Sequence, residues 1–118
     1  MDSPVVHFQI ATHDPEGMAK FLREVFEWDV DATAGQSFSN IATGWSDDIR
    51  VAGSMLKIRE GSHPFVSVYV RVHDLDATVE RARERGAQVR VPRARTEQGT
   101  DIAIIAHPEG QVFGVVQL

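Results

Sequence analysis

Two similar segments, sixty residues apart, contain the side chains of this chain that are best suited to chemistry. VHFQIATHD covers residues 6–14, and VSVYVRVHD covers residues 66–74. Successive side chains of a strand point to opposite faces, so the polar side chains of each segment share one face. These side chains can all hydrogen-bond a small molecule, and an imidazole can also bind a metal or move a proton. The positions are His7, Gln9, Ser67 and Tyr69.

The first half of the chain predicts a strand, a helix and three further strands. An alternating run of β-branched and aromatic residues predicts the first strand. Asp14, a good N-cap before Pro15, predicts a helix that ends near Glu27. GQS and GWSDD suit hairpin connections between the later strands, and the linker-like REGSHP places a boundary between half-domains near residue 60. The predicted strands cover residues 5–12, 28–33, 38–43 and 49–58.

The second half repeats this order. PFVSVYVRV predicts a strand, Asp74 is the N-cap of a second helix, and Gly86 supplies the left-handed residue that ends it. The even-numbered apolar faces of both first strands are expected to lie under the helices. A ferredoxin-like βαββαβ domain is the rival fold, but it has two strands between its helices, whereas four are counted here. The last strands are predicted at 88–91, 100–106 and 111–118.

Length, charge and composition exclude several classes of function. The 118 residues predict one domain, with module one at 1–60 and module two at 61–118. The net charge of −5 argues against a nucleic-acid or anionic-membrane partner. No cysteine is present, which excludes disulfides, thiol nucleophiles and cysteine-ligated metals. Because neither a signal-peptide pattern nor a long apolar run occurs, we expect a cytoplasmic location.

Three longer segments carry a family resemblance: VVHFQIATHDPEGMAKFLREVFEWDV, VYVRVHDLDATVERARERGAQVRVP and IAIIAHPEGQVFGVVQL. They resemble the glyoxalase/bleomycin-resistance/dioxygenase group, the vicinal oxygen chelate superfamily. The resemblance implies an α+β fold in which the two βαβββ modules form a cupped eight-stranded mixed sheet, with two helices on its convex side. It also implies a homodimer.

The same resemblance identifies four positions that bind a metal in many members. There each module supplies ligands from its first and last strands, and the metal stabilises an enolate-like charge. His7 and Ser67 occupy the first-strand positions, and the last-strand positions fall near Gly53 and at Gly114. A divalent transition metal takes three or four strong protein donors. With His7 as the one surviving ligand position, the resemblance implies the family's fold with a degenerate metal site.

The leading hypothesis is a protein that binds a small organic molecule in a cleft, with no tightly bound metal or other cofactor. Sequestration of a drug, as in bleomycin resistance, and a sensor or accessory role are both compatible with it. Whether the protein is an enzyme stays open, because a metal-dependent lyase, isomerase or dioxygenase could use His7 with an atypical ligand set. The residues predicted to bind the ligand are His7, Gln9, Ser67, Tyr69, Trp45 and Met55.

Some of these residues have a second interpretation. Met55 could equally fill the core, and Trp45 could lie in a dimer contact. A third hypothesis is a protein that binds another protein through the sheet face or through Trp45. Arg93 and Arg95, in PRARTEQG, are candidates to receive an anionic ligand.

Overall fold

The computed structural model describes residues 3–31, 38–44, 51–96 and 99–117. Within these ranges the chain forms eight strands and two helices, with the order βαβββ occurring twice. Module one contains β1 (Val5–Thr12), α1 (Pro15–Phe26), β2 (Asp29–Asp31), β3 (Phe38–Ala42) and β4 (Gly53–Lys57). Module two contains β5 (Phe65–Arg71), α2 (Leu75–Glu84), β6 (Gln88–Arg95), β7 (Asp101–Ala106) and β8 (Val112–Gln117). The predicted α+β class, with mixed strand pairing and two helices, is confirmed.

Module one is a four-stranded run with α1 on one face. Its strand order is β2-β3-β4-β1, with β1 parallel to β4 and the other pairs antiparallel. Phe8 and Ile10 of β1 pack with residues of α1, which confirms the helix-facing side predicted from the alternation. The core of the module consists of Ile10, Ala19, Leu22, Val30, Ile41 and Met55, with Phe8, Met18 and Trp28 packed against it.

Module two repeats this arrangement. Its strand order is β5-β8-β7-β6, with β5 parallel to β8 and the other pairs antiparallel. Val70 and Val72 pack with Leu75 of α2, as predicted, and Ala103 and Val115 complete the buried cluster. The chain divides into two compact units, of which one is His7–Val66 and the other begins at Ser67 and includes the first residues of the chain.

Local capping interactions begin and end the helices where the sequence predicts. Asp14 Oδ1 accepts a hydrogen bond from the Gly17 N–H at 3.1 Å, and Asp74 Oδ1 accepts one from the Ala77 N–H at 3.0 Å. Both predicted N-caps are therefore confirmed. Gly86 has a φ of 92°, the left-handed conformation predicted for the end of α2. In the described parts of the chain, neither helix is long and apolar enough to cross a membrane.

Strand β6 is longer than the predicted 88–91. Register shifts between Val89 and Val91, and between Val91 and Ala94, let its pairing with β7 continue to Arg95. Proline is tolerated within β6 because β6 lies at the end of the strand order, where one side of the strand needs no partner. The hairpin segments GQS and GWSDD lie largely outside the described residues, and their predicted turns stay predictions.

Candidate functional site

A row of polar residues crosses module one on the face opposite α1. Gln9 of β1 pairs with Ser54 of β4, Ser54 pairs with Asn40 of β3, and Asn40 pairs with Asp31 of β2. Paired residues of adjacent strands point to the same face of a sheet. The next rung, which contains Ile10 and Met55, faces α1 and the core. The polar row is therefore on the other face, which it shares with His7.

The side chain of His7 is held by a hydrogen bond to β4. Its Nε2 atom lies 3.0 Å from Oγ of Ser54, and the Ser54 side chain is fully buried. Desolvation by partial burial lowers the pKa of His7 below its usual value of 6.5. The imidazole is therefore neutral at pH 7, with one nitrogen protonated and the other able to accept a hydrogen bond or a proton. We name His7, Gln9, Asp31, Asn40 and Ser54 the polar face of module one.

Ser54, which the sequence alone did not single out, has the same place in β4 that Gly114 has in β8, the strand position that the family resemblance implies for a ligand. That position was expected near Gly53, but Gly53 pairs with Phe8, whose side chain packs on the α1 side. A Cβ atom at residue 53 would lie 2.2 Å from Cζ of Phe8, so a glycine is needed beneath that ring. The sequence does contain a signal that identifies Ser54: it precedes Gly114 by the same sixty residues that separate His7 from Ser67.

The corresponding face of module two carries a tyrosine over a glycine. Tyr69 pairs with Gly114, and a Cβ atom at residue 114 would lie 2.3 Å from Cδ2 of Tyr69. Burial raises the pKa of the Tyr69 phenol above its usual value of 10.0, so the hydroxyl stays protonated at neutral pH. Ser67 is buried on the same face. The register adds apolar side chains to this face: Ile102, Ile104 and Val116.

The residues present do not fit the divalent metal that the family resemblance implies. The ring of Tyr69 occupies the space that a carboxylate side chain at residue 114 would need. In module one the groups at the two positions equivalent to Ser67 and Gly114 are the His7 imidazole and the Ser54 hydroxyl, and a neutral hydroxyl is a weak ligand. Among the described residues, no three His, Cys, Asp or Glu side chains form a group that could hold a metal.

The structure corrects the prediction that Met55 lines a ligand site. Met55 pairs with Ile10, is 1% exposed and belongs to the core cluster under α1. Its position in β4 directs the side chain away from the polar face, so the core-filling interpretation is the right one. Trp45, the other large side chain predicted to bind the ligand, lies outside the described residues.

The structure also pairs both candidate anion-binding arginines with carboxylates. Arg93 donates to Asp76 at 2.9 Å and to Asp101 at 2.5 Å, and Arg95 Nε lies 3.1 Å from Asp101. The hydrogen bond from Arg93 is the main reason that the pKa of Asp101 is lowered. Asp76 belongs to α2, so this network ties β6 and β7 to the helix, and an anion bound here would compete with these carboxylates.

Comparison with known proteins identifies relatives along the whole chain. A family model described as a glyoxalase-like domain matches residues 7–116. A variant of Streptomyces coelicolor methylmalonyl-CoA epimerase, in complex with 2-nitronate-propionyl-CoA, has a TM-score of 0.64 at 20% identity, over 96% of this chain and 95% of that chain. Mycobacterium tuberculosis methylmalonyl-CoA epimerase has a TM-score of 0.60 at 19% identity, over 96% and 86%.

A third similar structure, a hypothetical protein from Bacillus halodurans C-125, has a TM-score of 0.67 at 12% identity, over 100% of this chain and 96% of that chain. At these identities the likeness shows the fold alone. No curated protein matches the chain.

Proposed function

This chain belongs to the glyoxalase-like domain family of the vicinal oxygen chelate superfamily, and on that premise we propose that it binds a small organic molecule on the polar face of module one, without a tightly bound metal. The observation that carries the proposal is the hydrogen bond between His7 and Ser54, in register with a polar row across four strands. On this face Ser54 is buried and His7 and Gln9 are half-buried, whereas the polar side chains of a face turned fully to water are exposed.

The chemistry of this face favours a ligand with several hydrogen-bonding groups. The amides of Gln9 and Asn40 each carry donors and an acceptor, and the His7 ring, held through Nε2 by Ser54, lies on the same face. A ligand that lacked the matching groups would leave buried polar atoms unpaired, at a cost of about 1–3 kcal/mol for each. Ser54 is too deeply buried to be a main contact, so its role is to position the His7 ring.

The charge of this face favours a neutral or cationic ligand. Its five residues include the carboxylate of Asp31 but neither lysine nor arginine, and His7 is neutral at pH 7. One structural neighbour is in complex with a CoA derivative, which carries phosphates. A phosphate group is normally bound by basic side chains, and the five residues of this face include none. We therefore propose a hydroxyl-, amide- or amine-bearing ligand in place of an acyl-CoA, bound by a cytoplasmic homodimer.

A thermal-shift screen followed by calorimetry tests this proposal. The probes are panels of neutral polyols, of amines and of acyl-CoA esters. We expect a hit from the first two panels, with affinity reduced about tenfold in Ser54→Ala. The matched control is Ser39→Ala, because Ser39 is a buried serine that pairs with Met55 on the α1 side, and it should leave the affinity unchanged. Hits confined to acyl-CoA esters, or equal losses in both variants, would overturn the proposal.

The runner-up function, a metal-dependent lyase, isomerase or dioxygenase, has support from the neutral imidazole of His7. Such a group can act as a general base or as a metal ligand. Calorimetric titration of chelator-stripped protein with manganese, iron(II), nickel and zinc separates the two functions. Tight one-to-one binding that is lost in His7→Ala would favour the enzyme, whereas the proposed function predicts no tight binding of any of these metals.

A further inference from the structure

The C-terminal half of α1 and the segment after it expose an apolar surface that the proposed binding face does not use. Phe21, Val25 and Phe26 are 53%, 54% and 52% exposed. The ring centroid of Phe21 lies 6.2 Å from that of Phe26 in an edge-on arrangement, and Phe26 lies 5.0 Å from Trp28. These contacts join the three rings into one apolar cluster. We name these four residues the α1 patch.

Comparison of the two helices shows that the fold itself does not require this patch. The modules are related by an offset of sixty residues, with Pro15 and Leu75 both first in their helices. At that offset the residues equivalent to all four members of the patch, in α2 and in the segment that follows it, are polar or small. They are Arg81, Arg85, Gly86 and Gln88. Module two therefore lacks this apolar surface, which makes the α1 patch a candidate contact surface.

We propose that the α1 patch is covered by the α1 patch of a second copy, in a two-fold symmetric, antiparallel helix pair. A two-fold interface must be complementary to itself. On α1, exposed Lys20 and Glu24 are one turn apart beside Phe21. When two antiparallel helices cross at Phe21, Lys20 comes within reach of Glu24 of the partner subunit, and the symmetry makes this pair twice. A partner of unrelated sequence would not require this arrangement of charges.

The spacing along α1 also suits close packing of two helices. Gly17 lies one turn before Phe21, and Val25 lies one turn after it. In the antiparallel crossing the Val25 side chain lies opposite Gly17 of the partner subunit, beside the Asp14 carboxylate that caps the helix. Phe21 packs against its own symmetry mate at the centre. The crossing thus places apolar side chains in the middle and charges beside them, as in well-packed interfaces.

The size of the patch predicts a weak dimer. Three half-exposed side chains offer on the order of 300 Å² of apolar surface per copy, given about 200 Å² for a whole aromatic residue. A stable interface buries about 800 Å² per partner, so the flanking polar residues must supply the rest. We expect dissociation constants in the micromolar range. This inference rests on the homodimer in the proposed function and identifies its contact surface.

Sedimentation equilibrium over protein concentrations from about 1 to 200 μM tests the interface. The native chain should dimerise with increasing concentration. Phe21→Arg, which installs the residue type that α2 carries at the equivalent position, should remain monomeric. Arg81→Ala on α2 is the matched control and should dimerise normally. Circular dichroism and melting temperature establish that each variant is folded, since Phe21 is half-exposed and its replacement leaves the core intact.

A charge exchange gives the sharper result. Lys20→Glu and Glu24→Lys should each weaken the dimer about tenfold or more, because each places like charges together twice. The double variant has the same net charge as the native chain and should recover most of the affinity. If the double variant dimerises as weakly as either single variant, or if Phe21→Arg still dimerises, the proposed contact surface is wrong, whereas the proposal of a homodimer is unaffected. If the native chain is monomeric at the highest concentration, both are wrong.

Discussion

The ring of Tyr69 lies over Gly114, its partner in the parallel pairing of β5 and β8. In module one the ring of Phe8 lies in the same way over Gly53, its partner in β4. The two pairs differ in face, because Phe8 packs with the core under α1, whereas Tyr69 is on the side opposite α2. Each glycine is thus explained by the ring above it, and only Gly114 coincides with a metal-ligand position of the family.

The first prediction concerns this contact in module two. Gly114→Ala should lower the free energy of unfolding by about 1–3 kcal/mol, because the new methyl group overlaps the Tyr69 ring and displaces it. Urea denaturation measures the change. In a Tyr69→Ala background the same substitution should cost much less, since the overlapping ring is gone. Equal costs in the two backgrounds would show that the contact is not the cause.

The second prediction is that Tyr69 ionises at unusually high pH. Burial disfavours the charged phenolate, so its pKa lies above 10.0. A raised pKa means that the associated stability is intact below pH 10 and is lost as the pH rises through the folded-state pKa. Tyr69 is the only tyrosine of the chain, so the ultraviolet absorbance of the phenolate reports on it alone. Gly114→Ala should move the midpoint towards 10, and a native midpoint at or below 10 would contradict the burial of the ring.

The third prediction concerns the pH dependence of stability through His7. Its pKa in the folded protein is lowered by desolvation, so the unfolded chain binds a proton more readily near pH 6.5. Stability should therefore be complete above pH 6.5 and fall as the pH drops from there towards the folded-state pKa. Melting temperatures measured between pH 7.5 and pH 5 check this against His7→Gln, which cannot titrate. If the melting temperature depends on pH in the same way in both proteins, His7 does not cause the pH dependence of stability.

The fourth prediction separates core from binding face. Met55→Ala should destabilise module one by about 2–5 kcal/mol, because a fully buried side chain leaves a cavity beneath α1. Ligand affinity, measured below the melting transition, should be unchanged. Asn40→Ala is the complementary variant: its exposed side chain lies on the polar face, so affinity should fall while stability stays within about 0.5 kcal/mol. If Met55→Ala folds normally but binds the ligand more weakly, Met55 contributes to the binding site after all.

Short-range signals made much of the fold predictable. The N-caps Asp14 and Asp74 bond to backbone N–H groups three residues later, so the start of each helix depends on a few neighbouring residues. The alternation of β1 and β5 likewise identified the helix-facing side, on which Ile10 and Val72 are buried. The offset of sixty residues between the two similar segments also relates equivalent positions of the two modules, such as His7 and Ser67.

The sequence by itself determined the order of the elements and the position of His7 and Gln9 opposite the helix, since caps and alternation act over a few residues. The tertiary structure decided which side chain His7 contacts. A shift of one residue in a strand exchanges its faces, and only the pairing of β4 with β1 brings Ser54, rather than Gly53 or Met55, to the polar side. The bulges of β6 act in the same way on Arg93, whose partners Asp76 and Asp101 lie 17 and 8 residues away in other elements. Register is set by contacts across the sheet, and no local pattern in β4 or β6 specifies it.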